Sequence, residues 1–407
     1  MTVSRLDPAN SGAEFAQGRR GPGSPRPALI EQEAISLHLR VLGDYLGARP
    51  LGSDALSQAR RYIVNTVKRL GFSPEIQAFA TNAPLNPHGR LSTGDGRLIP
   101  CRPAIGSRSS PGTLRGVPRG LSSAERPEQP SKLESPFTFA LSPLGFGNEA
   151  EVVGAAARQG AAAALLYREE VPELYSAVIV GRPAAVPCVT IRPADARQLE
   201  QNAPELELNV QAAPTAVLGE NIMVELGKGG RILLLLAHYD TRPGTPGAYR
   251  SASGVAALLA LLARLRGWRG HRILVGFLAG EEIGAAGSRH CREVLEAVGL
   301  LRYVRGVVYV SGLGSRALAA VPGPSSARSS LVELAARCAA EEGVLSLSYW
   351  GSAAEPPVPT GPWRCPVVAL TGPPVAVQHT SLDRPDLVRP RLVARAVGVL
   401  EHLAGGW

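Results

Sequence analysis

Side chains that can bind a metal ion or move a proton occur at three separate places in the chain. They are His238, Asp240, Glu281, Glu282 and His379. The first two pairs closely follow continuous apolar runs at 232–237 and 273–279, and the last histidine stands in a late loop. Because ligand sites in open α/β sheets lie at the carboxyl ends of strands, we expect these groups to meet. An imidazole together with paired carboxylates indicates a metal site with a general base.

Each of these signals is weak on its own. A single histidine after a buried strand is more often a polar residue whose hydrogen bonds are satisfied. A Glu-Glu pair more often lies on a solvated surface or at the start of a helix. The conjunction at successive strand ends favours a functional site, in which Asp240 is spaced to accept the second ring N–H of His238 and fix its tautomer.

The elements that position these residues alternate between strand and helix after Val217. This order predicts a parallel sheet covered by helices on both faces. The predicted strands are 232–237, 273–279, 307–310 and 367–370. The predicted helices are 254–266, 288–298, 331–341 and 387–403.

The first half of the chain is less regular. Residues 1–28 are rich in Gly, Pro, Ser and Arg without periodicity, which predicts a disordered tail. Ser53 or Asp54 is predicted to cap a helix. Pro, Gly and Arg punctuate 82–134, which indicates either an irregular segment or the start of an inserted module. Residues 137–210 show a second small α/β pattern that includes a helix at 193–202.

Composition excludes several classes of protein. The chain has 407 residues, 45% hydrophobic and 19% charged, as in ordinary globular proteins. No apolar run approaches the roughly 18 residues of a membrane span. The N-terminus shows no apolar signal segment, so we expect a cytoplasmic protein, or a secreted one if the start site is misassigned. The net charge of +9 comes from scattered arginines with few aromatic residues between them, so nucleic-acid binding is not expected. The five separated cysteines form no CxxC pair and are predicted to be buried thiols.

Two adjoining segments carry a resemblance to a known family. NIMVELGKGGRILLLLAHYDTRPGTPGAYRSASGVAALLALLARL, followed by RILVGFLAGEEIGAAGSRH, resembles the di-zinc aminopeptidases of peptidase family M28. This family includes aminopeptidase Y, glutamate carboxypeptidase II and the transferrin receptor ectodomain. The segments GARPLGSDALSQARRYIVNTVKRLGFSPEIQAF and QHTSLDRPDLV are similar to the beginning and end of that domain.

The resemblance implies a fold and a domain order. The fold is α/β, with a three-layer, mostly parallel sheet of the zinc-aminopeptidase type and an inserted small α/β or β-rich domain. GAAAALLY and VPCVTI make the insert similar to a protease-associated domain. The expected division is a tail at 1–30, peptidase-like parts at 31–94 and 213–407, and the insert at 95–212.

The resemblance also implies roles for the five residues. His238 and Glu282 match zinc ligands, and His379 matches a ligand of the second metal. Asp240 matches the carboxylate that orients a ligand histidine, and Glu281 matches the general base.

The sequence departs from the family pattern at three places. Arg250 stands where the family has its bridging aspartate, and Ser311 stands where a second acidic ligand follows the third strand. Ala353 and Ala354 replace residues of a Ser-Asp-His-x-Pro loop. Two divalent cations roughly 3.5–4 Å apart need a shared carboxylate to offset their repulsion, whereas a guanidinium repels Zn²⁺. We hypothesise that Arg250 pairs with Glu281 or Glu282 and replaces the metals as the positive charge of the site.

Two interpretations remain open at this point. In the first, the protein is catalytically degenerate and has a binding or scaffolding role toward a peptide or protein ligand. The transferrin receptor type shows that the family tolerates such loss. In the alternative, it is an active metallo-exopeptidase, or a single-zinc hydrolase or cyclase acting on peptide N-termini through His238, Glu282 and His379. The cofactor is zinc in the alternative and none in the first. The sequence does not predict an oligomeric state.

Overall fold

The computed structural model describes most of the chain. The described residues are 26–120, 138–144, 148–179, 184–315, 318–323, 329–342 and 363–407. The predicted tail up to residue 25 lies outside them, as do Ala353 and Ala354. The first helix begins at Arg26, inside the segment 1–30 that the sequence assigns to the tail.

The described residues form helices and strands throughout both halves of the chain. The α-helices are α1 (Arg26–Arg40), α2 (Asp54–Arg69), α3 (Glu149–Arg158), α4 (Pro193–Asn202), α5 (Ser253–Arg264), α6 (Ala286–Ala297), α7 (Ser330–Glu341) and α8 (Pro390–Gly406). The strands are β1 (Glu75–Pro84), β2 (His88–Thr93), β3 (Leu98–Ile99), β4 (Cys101–Pro103), β5 (Leu114–Gly120), β6 (Thr138–Pro143), β7 (Ala163–Tyr167), β8 (Cys188–Ile191), β9 (Leu206–Gln211), β10 (Pro214–Leu226), β11 (Ile232–His238), β12 (Arg272–Leu278), β13 (Val304–Ser311), β14 (Ala319–Pro322) and β15 (Val367–Thr371). None of the described helices combines the length and hydropathy that a membrane span requires.

A seven-stranded sheet forms the main body, in the order β1-β10-β12-β11-β13-β15-β14. The ladders between β12, β11, β13 and β15 are parallel, and those of β1, β10 and β14 at the edges are antiparallel. Every residue of β11 is buried, which explains its unbroken apolar sequence. One apolar core packs α1, α2, α5, α7 and α8 on one face, and a second core packs α6 on the other. This confirms the three-layer α/β fold.

A second sheet of eight strands lies within 88–211, in the order β3-β2-β9-β5-β6-β7-β8-β4. Of the two interpretations of 82–134, the irregular segment is wrong for the described part, because β2, β3, β4 and β5 lie there. These strands are short and separated by Gly and Pro, so they show no sustained alternation of apolar and polar residues. That this second sheet belongs to a protease-associated domain stays a prediction.

Most predicted elements of the main body are confirmed with small shifts at their ends. In the main body, Ser53 caps α2 by accepting a hydrogen bond from the Leu56 N–H at 3.1 Å. Beside the second sheet, the predicted helix at 193–202 is α4. The prediction missed β10, whose polar residues interrupt its apolar pattern.

The strand ends of the main sheet bring the candidate residues to one edge. β11 ends at His238, β13 ends at Ser311, and a turn after β12 carries Glu281 and Glu282. Gly254 at the start of α5 lies against the Val310 carbonyl so closely that any Cβ there would overlap it. This close approach holds the loop before α5 beside the end of β13.

Candidate functional site

His238 and Asp240 form the first part of the site. The Nδ1 atom of His238 lies 3.2 Å from the Asp240 carbonyl oxygen and 3.4 Å from its Oδ1, so Nδ1 carries the proton. Asp240 Oδ2 accepts a hydrogen bond from the Glu282 N–H at 3.1 Å. Burial lowers the pKa of His238, but the hydrogen bond and charge of Asp240 outweigh it and the pKa is raised. The Nε2 atom of His238 is buried and has no hydrogen-bond partner within the described residues.

Glu282 lies at the centre of a buried group of positive charges. Arg242 Nε donates to its Oε2 at 2.7 Å, and Arg250 Nε lies 3.6 Å from its Oε1. His379 Nδ1 lies 3.9 Å from Oε2. Burial raises the pKa of Glu282, but these three positive neighbours outweigh it and hold the pKa well below its usual range. Glu282 is therefore an ionised carboxylate enclosed by guanidinium and imidazole groups.

Arg242 is a site residue that the sequence reasoning missed. Its side chain is 2% exposed, and its Nη1 donates to the Ser176 carbonyl at 2.9 Å and to the Tyr175 hydroxyl at 3.1 Å. Ser176 in turn donates its N–H to the His379 carbonyl at 2.8 Å. Arg242 thus joins Glu282 to the segment that follows β7 in the second sheet. The one feature of the sequence that could have pointed to Arg242 is its position two residues after Asp240.

Arg250 lies beside Glu282, as one of the two hypothesised pairings requires, and not beside Glu281. Its Nη1 donates to Ser311 Oγ at 3.2 Å. The backbone N–H of Arg250 donates to Asp383 Oδ2 at 3.3 Å. Burial raises the pKa of Asp383 to about 6. The loop before α5 is therefore fixed by backbone hydrogen bonds to Asp383. The Arg250 side chain lies between Ser311, at the end of β13, and Glu282.

Glu281 is held apart from this charge cluster. Its two carboxylate oxygens accept hydrogen bonds from the Ser288 N–H and hydroxyl, both at 2.7 Å. The Ser288 hydroxyl also lies 2.5 Å from the Tyr309 hydroxyl. Burial raises the pKa of Glu281 to about 7. The carboxyl group is thus fixed at the start of α6, with a pKa near neutrality.

His379 reaches the site from the loop before α8. Its backbone is in the left-handed region, with φ of 62°, which is costly for a residue with a side chain. Its ring packs edge-on against Tyr175, with centroids 6.0 Å apart, and its Nε2 lies 3.0 Å from Gln378 Nε2.

A second buried arginine missed by the sequence reasoning supports the loop after β11. The Arg49 side chain donates to the carbonyl oxygens of Tyr239 and Pro246, each at 2.9 Å. Burial lowers the pKa of Arg49 to about 10. Its contacts with carbonyl groups indicate that it supports the loop.

The structure therefore brings together His238, Asp240, Glu282, Arg250, Ser311 and His379. Within the described ranges, no group of three or more His, Cys, Asp or Glu residues is arranged to hold a metal ion.

Residues 221–337 match the family model described as Peptidase family M28. The probable lipoprotein aminopeptidase LpqL of Mycobacterium tuberculosis is 25% identical over 300 residues, which are 70% of this chain and 58% of that protein. Aminopeptidase YwaD of Bacillus subtilis is 26% identical over 294 residues, 70% of this chain and 63% of that protein. The matches thus span less than two thirds of either relative.

The fold is also found among solved structures. BSAP, a zinc aminopeptidase from Bacillus subtilis, superimposes with a TM-score of 0.75 over 92% of this chain and 94% of that chain, at 20% sequence identity. At this identity the likeness shows the fold. The chain therefore has the fold of a zinc aminopeptidase, and its residues 221–337 match the peptidase family M28 model.

Proposed function

We propose that this chain is a non-catalytic M28 protein that binds a peptide or protein ligand without cleaving it. The two relatives are named as aminopeptidases, LpqL as a probable one. The observation that carries the proposal is the placement of Arg250. Its guanidinium occupies the space between Glu282 and Ser311, two positions that the family resemblance assigns to metal ligands.

The residues present do not fit a pair of zinc ions. A zinc ion in a protein normally has three or four protein ligands, and two adjacent zinc ions need a shared anion. Here the bridging position carries a guanidinium that stays protonated, and Ser311 offers a neutral oxygen. A cation placed between Glu282 and Ser311 would meet the positive charge of Arg250 at contact distance.

Arg242 adds to this misfit from the other side of Glu282. Its 2.7 Å hydrogen bond engages Oε2, while Arg250 faces Oε1. The charge of Glu282 is thereby neutralised by the protein itself. Binding a zinc ion to this carboxylate would require breaking a buried, charge-assisted hydrogen bond.

Glu281 is held by hydrogen bonds that account for its presence without a catalytic role. Both carboxylate oxygens of Glu281 are engaged by Ser288. These contacts anchor Glu281 to the first turn of α6, which is a structural role.

One observation favours the alternative of a single-zinc hydrolase or cyclase. His238 Nε2 is buried without a partner within the described residues, as the nitrogen of a metal ligand would be before binding. The other two expected ligands are already engaged, Glu282 by Arg242 and His379 by its contacts with Gln378 and Tyr175.

Restoring the bridging carboxylate tests the proposal. We expect wild-type protein to bind no zinc in equilibrium dialysis and to release no product from aminoacyl p-nitroanilides. Arg250→Asp should gain zinc binding, since it removes the repelling charge and supplies the missing anion. Arg269→Asp makes the same change of charge at an exposed position and should not gain zinc. Zinc-dependent hydrolysis by wild-type protein, or zinc binding by wild type as tight as that of Arg250→Asp, would overturn the proposal.

A further inference from the structure

We infer that the space beside Arg250 and Ser311 is a binding site for a carboxylate group, supplied by the C-terminus or an acidic side chain of a peptide. The site depends on the proposed function, because a bound metal would change the chemistry of the same space. Two neighbouring hydrogen-bond donors with spare capacity point to this ligand.

The Arg250 guanidinium has unused donors. It carries five N–H groups, and within the described residues it makes one hydrogen bond, from Nη1 to Ser311 Oγ. Its Nε is buried and lies 3.6 Å from Glu282 Oε1, which is longer than a hydrogen bond. The guanidinium therefore retains donors for an oxygen-rich group.

The Ser311 hydroxyl also has an unused hydrogen-bond donor. Its oxygen already accepts from Arg250, so its own proton must point elsewhere. Within the described part of the chain the Ser311 hydroxyl donates no hydrogen bond, although Ser311 is only 4% exposed. The hydroxyl and the guanidinium are 3.2 Å apart and can donate to the same anion.

Arg242 shows what a fully structural arginine looks like in the same site. It donates to the Glu282 carboxylate, the Ser176 carbonyl and the Tyr175 hydroxyl, and its side chain is 2% exposed. The Arg250 side chain is 17% exposed. Because Glu282 is already paired with Arg242 at 2.7 Å, it neutralises Arg250 only in part.

The chemistry selects a carboxylate over the other end of a peptide. A guanidinium presents parallel N–H groups that match the two oxygens of a carboxylate, whereas it repels an ammonium group. A peptide would therefore enter this site with a carboxylate, and its free N-terminus would be excluded. This is the reverse of the polarity that an aminopeptidase needs.

Calorimetric titration in the presence of EDTA tests the inference with four probes. They are N-acetyl-trialanine, its C-terminal amide, N-acetyl-Ala-Glu-Ala-amide and trialanine amide with a free N-terminus. We expect N-acetyl-trialanine to bind if the site takes a C-terminal carboxylate. We expect N-acetyl-Ala-Glu-Ala-amide to bind if it takes a side-chain carboxylate. The two probes without a carboxylate should not bind.

Variants then assign the binding to Arg250. Arg250→Gln should weaken binding by about 10- to 100-fold, as expected for the loss of hydrogen bonds to a charged group. Arg250→Lys retains the charge but not the paired donors, and should weaken binding less. It also serves as the test if the glutamine variant does not fold. Arg269→Gln, at an exposed arginine, should bind as wild type does.

Three outcomes would overturn the inference. They are equal binding of the acid and its amide, unchanged affinity in Arg250→Gln and Arg250→Lys, and no binding of any probe. Binding that disappears in EDTA and returns with zinc would overturn the proposed function as well. A zinc-free protein that binds no carboxylate would overturn the carboxylate site and leave the proposed function standing.

Discussion

The two halves of the site differ in how completely their hydrogen bonds are satisfied. The closed half consists of Arg242 and Glu282, which are buried and joined by a 2.7 Å hydrogen bond. The open half consists of Arg250 and Ser311, which share one hydrogen bond and retain unused donors. On the proposed function, Arg242 neutralises Glu282 without a metal ion, while the open half carries the changed chemistry.

The largest effect should come from breaking the closed half. Arg242→Ala leaves the Glu282 carboxylate buried without its closest partner, and such losses cost about 3–5 kcal/mol. We therefore expect the free energy of unfolding, measured by urea denaturation, to fall by that amount. Arg269→Ala, at an exposed arginine, should change it by about 0.5 kcal/mol or less. If the free energy of unfolding fell by a similar amount in both variants, Arg242 would not be what holds the closed half together.

A smaller effect should follow from the titration of Glu281. Its pKa is about 7 in the folded protein, raised by burial from 4.5. The folded state therefore holds the Glu281 proton more tightly than the unfolded state. This stabilisation is complete below pH 4.5 and is lost as the pH rises through 7. Between pH 5 and 8 the free energy of unfolding should fall by about 2–3 kcal/mol more in wild type than in Glu281→Gln. Parallel pH profiles for the two proteins would show that Glu281 does not titrate in this range.

The smallest effect should come from the open half. Ser311→Ala removes one hydrogen bond to a partly exposed guanidinium, so we expect a loss of about 1 kcal/mol in the same urea measurement. The contrast with Arg242→Ala measures the difference between the two halves directly. A loss for Ser311→Ala as large as that for Arg242→Ala would mean that the open half is also structural.

The central strands could be predicted from the sequence because burial on both faces leaves an unbroken apolar run. β11, entirely buried, is the clearest case. β2, β3, β4 and β5 could not be predicted in this way, because they are short and their pairing depends on distant strands such as β8 and β9.

The candidate site was predictable only where a motif marked it. The sequence places Arg250 and Ser311 at ligand positions through the family resemblance, but leaves open which glutamate pairs with Arg250. The structure favours Glu282 because Ser288 engages both oxygens of Glu281. Arg242 escaped notice because a basic residue in a loop usually faces solvent. Its partners Glu282 and Tyr175 lie 40 and 67 residues away in the chain.

We propose that arginine takes the place of metal in this domain. The most direct measurement is the zinc content of the wild-type protein, by mass spectrometry of the metal, after dialysis against excess Zn²⁺ and then against metal-free buffer. If guanidinium groups neutralise Glu282, the protein should retain no stoichiometric zinc. One or more zinc ions retained per chain would contradict the replacement of metal by arginine.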